Sequence, residues 1–208
     1  MGLFMSPQRR ILAVHDISCF GRCSLTVALP IISATGLECT VIPTAILSTH
    51  TGGFTGYTFN DMTDDILPIV DHWRSLGLEF DAIYTGFLGS SKQIGIIKEV
   101  VDRLKGDGIF ISDPAMADCG KMYPLFNMEF ASKMATLCSH ADIVIPNITE
   151  ACFMLGIEYH DGPYTEEFIT SLLYGLTDMG CGKVVLTGVS FEEGKLGSAA
   201  YDPEDGKI

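Results

Sequence analysis

The chain has 208 residues, 47% of them hydrophobic, and a formal net charge of −13. That length suits one domain with a substantial core, and the composition is too apolar for disorder. The acidic balance excludes nucleic acid and anionic membrane as partners, since both need a basic surface, but local donors can still hold an anionic small molecule.

Seven cysteines, an odd number scattered through apolar segments, indicate reduced thiols in a cytoplasmic protein rather than a disulfide framework. Cys19 and Cys23 form the one close pair, and no second pair or histidine pair completes a zinc site. No stretch reads as a membrane span. Residues 1–10 have a basic end but no apolar region of signal-peptide type behind it.

Residues 10–15 read as a buried first strand, followed by a polar turn over 16–24 that contains Gly21. Residues 25–35 predict a helix closed by Gly36, with Pro30 distorting it. Residues 39–47 predict a second strand, and Pro43 marks it as an edge or irregular strand. The glycine- and hydroxyl-rich stretch 48–57 is too polar for a strand and too rich in glycine for a helix; it reads as a flap or a binding loop. Residues 61–76 predict an amphipathic helix with Asp64 and Asp65 near its start, where the macrodipole favours acids. Pro68 falls inside this helix and Gly77 ends it.

A third strand is predicted over 80–84 and a helix over 91–104, with Ile94, Ile97, Val101 and Leu104 on one face. The apolar run 109–112 predicts a strand that ends in Asp113-Pro114, with a second acid, Asp118, in the loop beyond. Residues 125–139 predict a helix and 141–146 a strand. Asn147 opens a further helix that fails at Gly156. Residues 165–179 predict a helix with Thr165 as N-cap and two acids in its first turn. Strands follow over 183–187 and 198–201. Strand–helix alternation at this interval specifies a three-layer α/β/α fold, with a mostly parallel central sheet, helices on both faces and right-handed crossovers. The organisation is a single domain over 1–208. Residues 202–206 are a turn signal and Lys207 begins a returning strand. A hairpin with one arm missing predicts that the domain lacks its C-terminal part.

Four strand ends carry unusual chemistry: Asp16 and Ser18; residues 48–57; Asp113 and Asp118; and Asn147 with Glu150. In a parallel sheet such ends lie on one side, where ligands bind. Two acids near each other need a cation, a proton or a basic group between them, which suggests a phosphate-and-magnesium site. Each signal also has an ordinary explanation. Asp-Pro is a common turn, and Asn147 with Glu150 satisfies a capping box.

Taken in order, the segments ILAVHDISCFGRCS (11–24), ILSTHTGGFTGY (46–57), TGFLGS (85–90), SDPAMAD (112–118), PNITEA (146–151) and VVLTG (184–188) resemble the pyridoxal/pyridoxamine kinase branch of the ribokinase-like superfamily. The resemblance implies phosphorylation of the 5′-hydroxymethyl group of a B6 vitamer by ATP with Mg²⁺, a monovalent cation such as K⁺ being a further candidate, in a cytoplasmic homodimer. It implies that Asp16 and Ser18 lie near the ring's polar edge. Ser48 and Thr51 match the hydroxyl-bearing loop against the substrate, with His50 beside them. Phe87 stands where the family often has a tyrosine that packs on the ring. Asp113, Asp118 and Glu150 match the acids around Mg²⁺. Asn147 belongs with them, and Thr187 stands at a contact with the ATP phosphates. The family's Gly-Thr-Gly-Asp motif, which carries the base and an anion hole, does not occur before Ile208. No catalytic base is therefore assigned, and the 208-residue chain alone is expected to show little or no kinase activity. The alternatives are a hydroxymethylpyrimidine kinase of the same superfamily, a truncated, non-catalytic B6-binding protein, and a generic flavodoxin-like binding module. The last leaves the acids at three strand ends unexplained.

Overall fold

The structure is a computed structural model that describes residues 8–208, so the expectation for residues 1–10 falls mostly outside it. The fold is α/β, with mostly parallel strands and helices between them. Two compact units make up the chain. One holds residues up to Gly89 together with Gly95–Ile109; the other holds Ser90–Ile94 and Phe110–Ile208.

The first unit contains β1 (Arg10–Phe20), α1 (Leu25–Ala34), β2 (Glu38–Thr49), β3 (Phe59–Asp61), α2 (Thr63–Ser75), β4 (Ala82–Thr85) and most of α3 (Ser91–Leu104). Its strand order is β4-β1-β2-β3, with β4 and β2 parallel to β1 and β3 antiparallel to β2. Leu12, Ala13 and Val14 are all fully buried, as consecutive residues of a strand covered on both faces must be. They pack in a core with Ile42, Leu47, Ile66, Val70, Ile83 and Ile97. A buried aliphatic side chain of this size contributes about 1.5–3 kcal/mol.

β1 runs five residues beyond the predicted strand. The reason lies in β2, which pairs with it as far as Phe20 opposite Thr49. Pro43 lies on a stretch of β2 that β3 does not reach, since β3 pairs with residues 45–47. It also marks an irregularity: His15 faces Pro43 and Ile17 faces Ile46, so the ladder slips there. β3 carries no strand signal in its own sequence.

The second unit contains β5 (Ile109–Ser112), β6 (Ala117–Asp118), β7 (Lys121–Met122), α4 (Met128–Cys138), β8 (Ile143–Val144), α5 (Ile148–Leu155), α6 (Glu166–Asp178), β9 (Lys183–Val189) and β10 (Gly197–Tyr201). The order is β5-β8-β9-β10, parallel except for β10. Phe110, Met134, Val144, Ile169, Leu172, Leu173, Val184 and Leu186 form its core. Asn127, Asn147 and Thr165 cap α4, α5 and α6 with their side chains, each accepting from an N–H in the first turn. The hairpin β6–β7 was not predicted; it forms inside the loop after β5 and carries Asp118. At the end of the chain Asp202 bridges to Lys207, so the predicted turn forms.

Candidate functional site

In the first unit the candidates gather at the carboxyl end of β1 and around the 48–57 loop. Asp16 and Ser18 alternate to the same face, and Ser18 donates to Asp16 Oδ2 at 3.0 Å. Asp16 is only 4% exposed, and its Oδ1 has no hydrogen-bond partner. Burial raises its pKa above the usual carboxylate range, partly offset by the hydroxyls of Ser24 and Ser18. Ser48 is engaged locally: its Oγ accepts from Thr58 N at 2.9 Å and closes the loop. His50 accepts from Gly52 N through Nδ1, and Phe54 meets its ring edge-on at 4.9 Å. Thr51 is half-buried in the bend that follows. Phe87 is buried, and its carbonyl accepts from Thr44 at 2.8 Å.

Sequence reasoning missed His15. Its ring is 4% exposed, lies edge-on to Tyr84 at 4.5 Å, and has no partner for Nε2. Burial holds its pKa down at about 4, so the imidazole is neutral. Gly86 makes room for it, since a Cβ there would lie 2.2 Å from Nδ1.

In the second unit the acids come together around one loop. Glu150, 3% exposed, caps α5 by accepting from Asn147 N at 2.9 Å through Oε2. Its Oε1 accepts from Met116 N at 3.0 Å, with a longer approach from Ala117 N at 3.5 Å. Asn147 Nδ2 donates to Ala117 O at 2.8 Å. The capping box thus also binds the loop that follows β5. Asp113 is half-buried at the start of that loop, and Asp118 is exposed on the hairpin, where Cys119 N donates to its Oδ1. Thr187 bridges to Asn147, and its hydroxyl donates to Pro146 O at 3.3 Å.

The electrostatics record this gathering. Burial, and then Asp113, push the Glu150 pKa up to about 8. Burial, and then Glu150, Asp118 and Asp113, push the Tyr123 phenol up to about 12. Tyr123 is a second residue that no spacing rule singled out; it ends the hairpin with its N–H on Met116 O. Among the described residues no three His, Cys, Asp or Glu side chains group closely enough to hold a metal ion by themselves. Magnesium keeps several waters and takes one or two carboxylates plus phosphate oxygens. Asp113 and Asp118 fit such a role. Glu150 is the buried acid of the three, and each of its oxygens already accepts a backbone N–H.

A family model described as phosphomethylpyrimidine kinase matches residues 29–205. The chain belongs to this family. Among solved structures, a “putative phosphomethylpyrimidine kinase” from Bacteroides thetaiotaomicron, in a crystal form with pyridoxal, is 37% identical with a TM-score of 0.88. The match covers 96% of this chain and 70% of that one. Pyridoxal kinase from Lactobacillus plantarum is 28% identical over 96% of this chain and 70% of its own, with a TM-score of 0.82. Pyridoxal kinase from Entamoeba histolytica, 23% identical over 94% of this chain and 70% of its own, shares the fold at a TM-score of 0.81. No match was found among curated proteins. The family is ribokinase-like, and membership makes the protein a kinase, that is, a phosphotransferase. No helix among the described residues is long and apolar enough to cross a membrane.

Proposed function

We propose that this kinase phosphorylates the 5′-hydroxymethyl group of a B6 vitamer, with ATP as donor. The observation that carries the reading is Asp16: a buried carboxylate with one oxygen unpaired. A buried polar atom left without a partner is costly. A pyridine ring that offers an N–H or O–H donor would satisfy it, and Ser18 would hold the other oxygen in place. The relative crystallised with pyridoxal, at 37% identity, supports the same class of ligand.

In the reaction the vitamer's hydroxymethyl oxygen bonds to the γ-phosphorus. The bond from that phosphorus to the β,γ-bridging oxygen breaks, ADP leaves, and the hydroxyl proton passes to a base. Positioning and charge neutralisation dominate such transfers. Asp113 and Asp118 are the residues that would hold Mg²⁺, which supplies charge neutralisation on the phosphate oxygens when bound. Asn147 and Glu150 fix the loop that carries them, and the α5 N-terminus adds a favourable field for phosphate. Thr187, bridged to Asn147, borders the same region.

Homodimerisation belongs to the proposal. α1 buries only Leu25, while Leu29 and Ile31 are exposed at 38% and 60%, apolar surface that a second copy would help to cover. A cytoplasmic location suits the free cysteines.

Hydroxymethylpyrimidine is the second candidate substrate, favoured by the family model over 29–205. Calorimetric titration with pyridoxal, pyridoxamine, pyridoxine and hydroxymethylpyrimidine, each with and without MgATP, separates the two. Preferential binding of a B6 vitamer, lost in Asp16→Ala, supports the proposal. Preferential binding of the pyrimidine refutes it.

A further inference from the structure

The hairpin that carries Asp118 is anchored at its base, where Ala117 is fully buried, while its turn reaches outward. On the α5 side it borders a hollow of about 470 Å³, lined by Gly120, Met128, Cys152, Phe153, Gly156 and Tyr159 among others. Its position therefore rests on a few discrete contacts. Two of them fall on Gly120, two residues from Asp118. Thr149, 2% exposed in the first turn of α5, accepts from Gly120 N at 3.0 Å. The Tyr159 ring lies over Gly120 so closely that a Cβ would sit 2.6 Å from Cδ1. Gly120 has φ +71°, a conformation that favours glycine, so the turn is shaped for this approach. Tyr159 is itself oriented, its hydroxyl donating to Asp161 at 2.9 Å.

We propose that Thr149 and Tyr159 are positioning residues, which clamp Gly120 from two sides and so set where the hairpin presents Asp118. The part of this that concerns nucleotide rests on the kinase reading above. The clamp does not touch the nucleotide; it acts through the hairpin backbone.

The test uses Thr149→Val, which keeps the shape and removes the acceptor, Thr149→Ser, which restores a hydroxyl, and Tyr159→Ala at a half-buried site. Amide exchange at Gly120 and the affinity for MgADP, set against metal-free ADP, are measured on the full chain. With one part-buried hydrogen bond lost, Gly120 exchange should rise about tenfold in Thr149→Val and return to within about twofold in Thr149→Ser. Tyr159→Ala should raise it as well. MgADP affinity should fall about threefold or more in the two clamp variants, with metal-free ADP unchanged. Unchanged Gly120 exchange in Thr149→Val overturns the clamp. Raised exchange with unchanged MgADP affinity overturns its role in presenting Asp118. A wild-type chain that binds no MgADP overturns the kinase reading instead, and the exchange measurement then decides the clamp by itself.

Discussion

Replacing His15 with glutamine removes a group whose burial sets a sign and a size for the pH dependence of stability. The ring is 4% exposed and its folded pKa is about 4, against an ordinary value of 6.5. The unfolded chain therefore takes up a proton between pH 6.5 and 4 that the folded chain refuses. Stability is full above pH 6.5 and falls as pH drops toward 4, where the loss levels off. At pH 4.5, relative to pH 7.5, this titration alone should cost about 2.5 kcal/mol. Urea denaturation of wild type and His15→Gln at the two pH values isolates it, because the other titrating groups are common to both. The wild type should lose about 2.5 kcal/mol more than the variant over that interval. Parallel losses in the two proteins would show that His15 is protonated freely in the folded state, and the argument from burial would fail.

Gly86→Ala places a Cβ 2.2 Å from His15 Nδ1. Because that ring is boxed in by Tyr84, the variant should lose about 1–3 kcal/mol, read as a fall of several degrees in Tm by calorimetry. Asp16→Asn removes a buried charge, so stability at pH 7 should hold or rise while pyridoxal affinity falls about tenfold; unchanged affinity by titration would separate Asp16 from the ligand. Asp118→Asn, at an exposed site, should leave stability within about 0.5 kcal/mol and weaken MgADP binding, with metal-free ADP unaffected. Glu150→Ala should behave in the opposite way in the denaturation assay. It leaves the buried N–H of Met116 and the part-buried N–H of Asn147 unpaired, at a cost of about 2–4 kcal/mol.

The alternation of apolar runs with helical periodicity was enough to specify an α/β fold, because a strand buried on both faces and a half-buried helix have different repeats. Elements governed by such local rules were legible to the residue. The helix Ser91–Leu104 and the strand Ile109–Ser112 form where the pattern put them. The caps at Asn147 and Thr165 do too, since a cap is a contact between residues three apart. The short strand Phe59–Asp61 and the Ala117–Met122 hairpin were not legible. Their pairing is set by partners and turn geometry rather than by their own composition.

The candidate site divides in the same way. The sequence by itself determined which acids stand at strand ends: Asp16 after the first run, Asp113 and Asp118 after the run 109–112, Glu150 one helical turn past Asn147. Only the tertiary structure decided what their oxygens do. Glu150, which local rules explain as a cap, also binds Met116 from 34 residues away. Asp118 is left exposed on a hairpin whose turn is held by Thr149 from 29 residues away and by the Tyr159 ring. One oxygen of Asp16 is buried without a partner, and His15 beside it is buried neutral. Desolvation and hydrogen-bond satisfaction depend on every neighbour in space at once, and no periodicity along the chain encodes them.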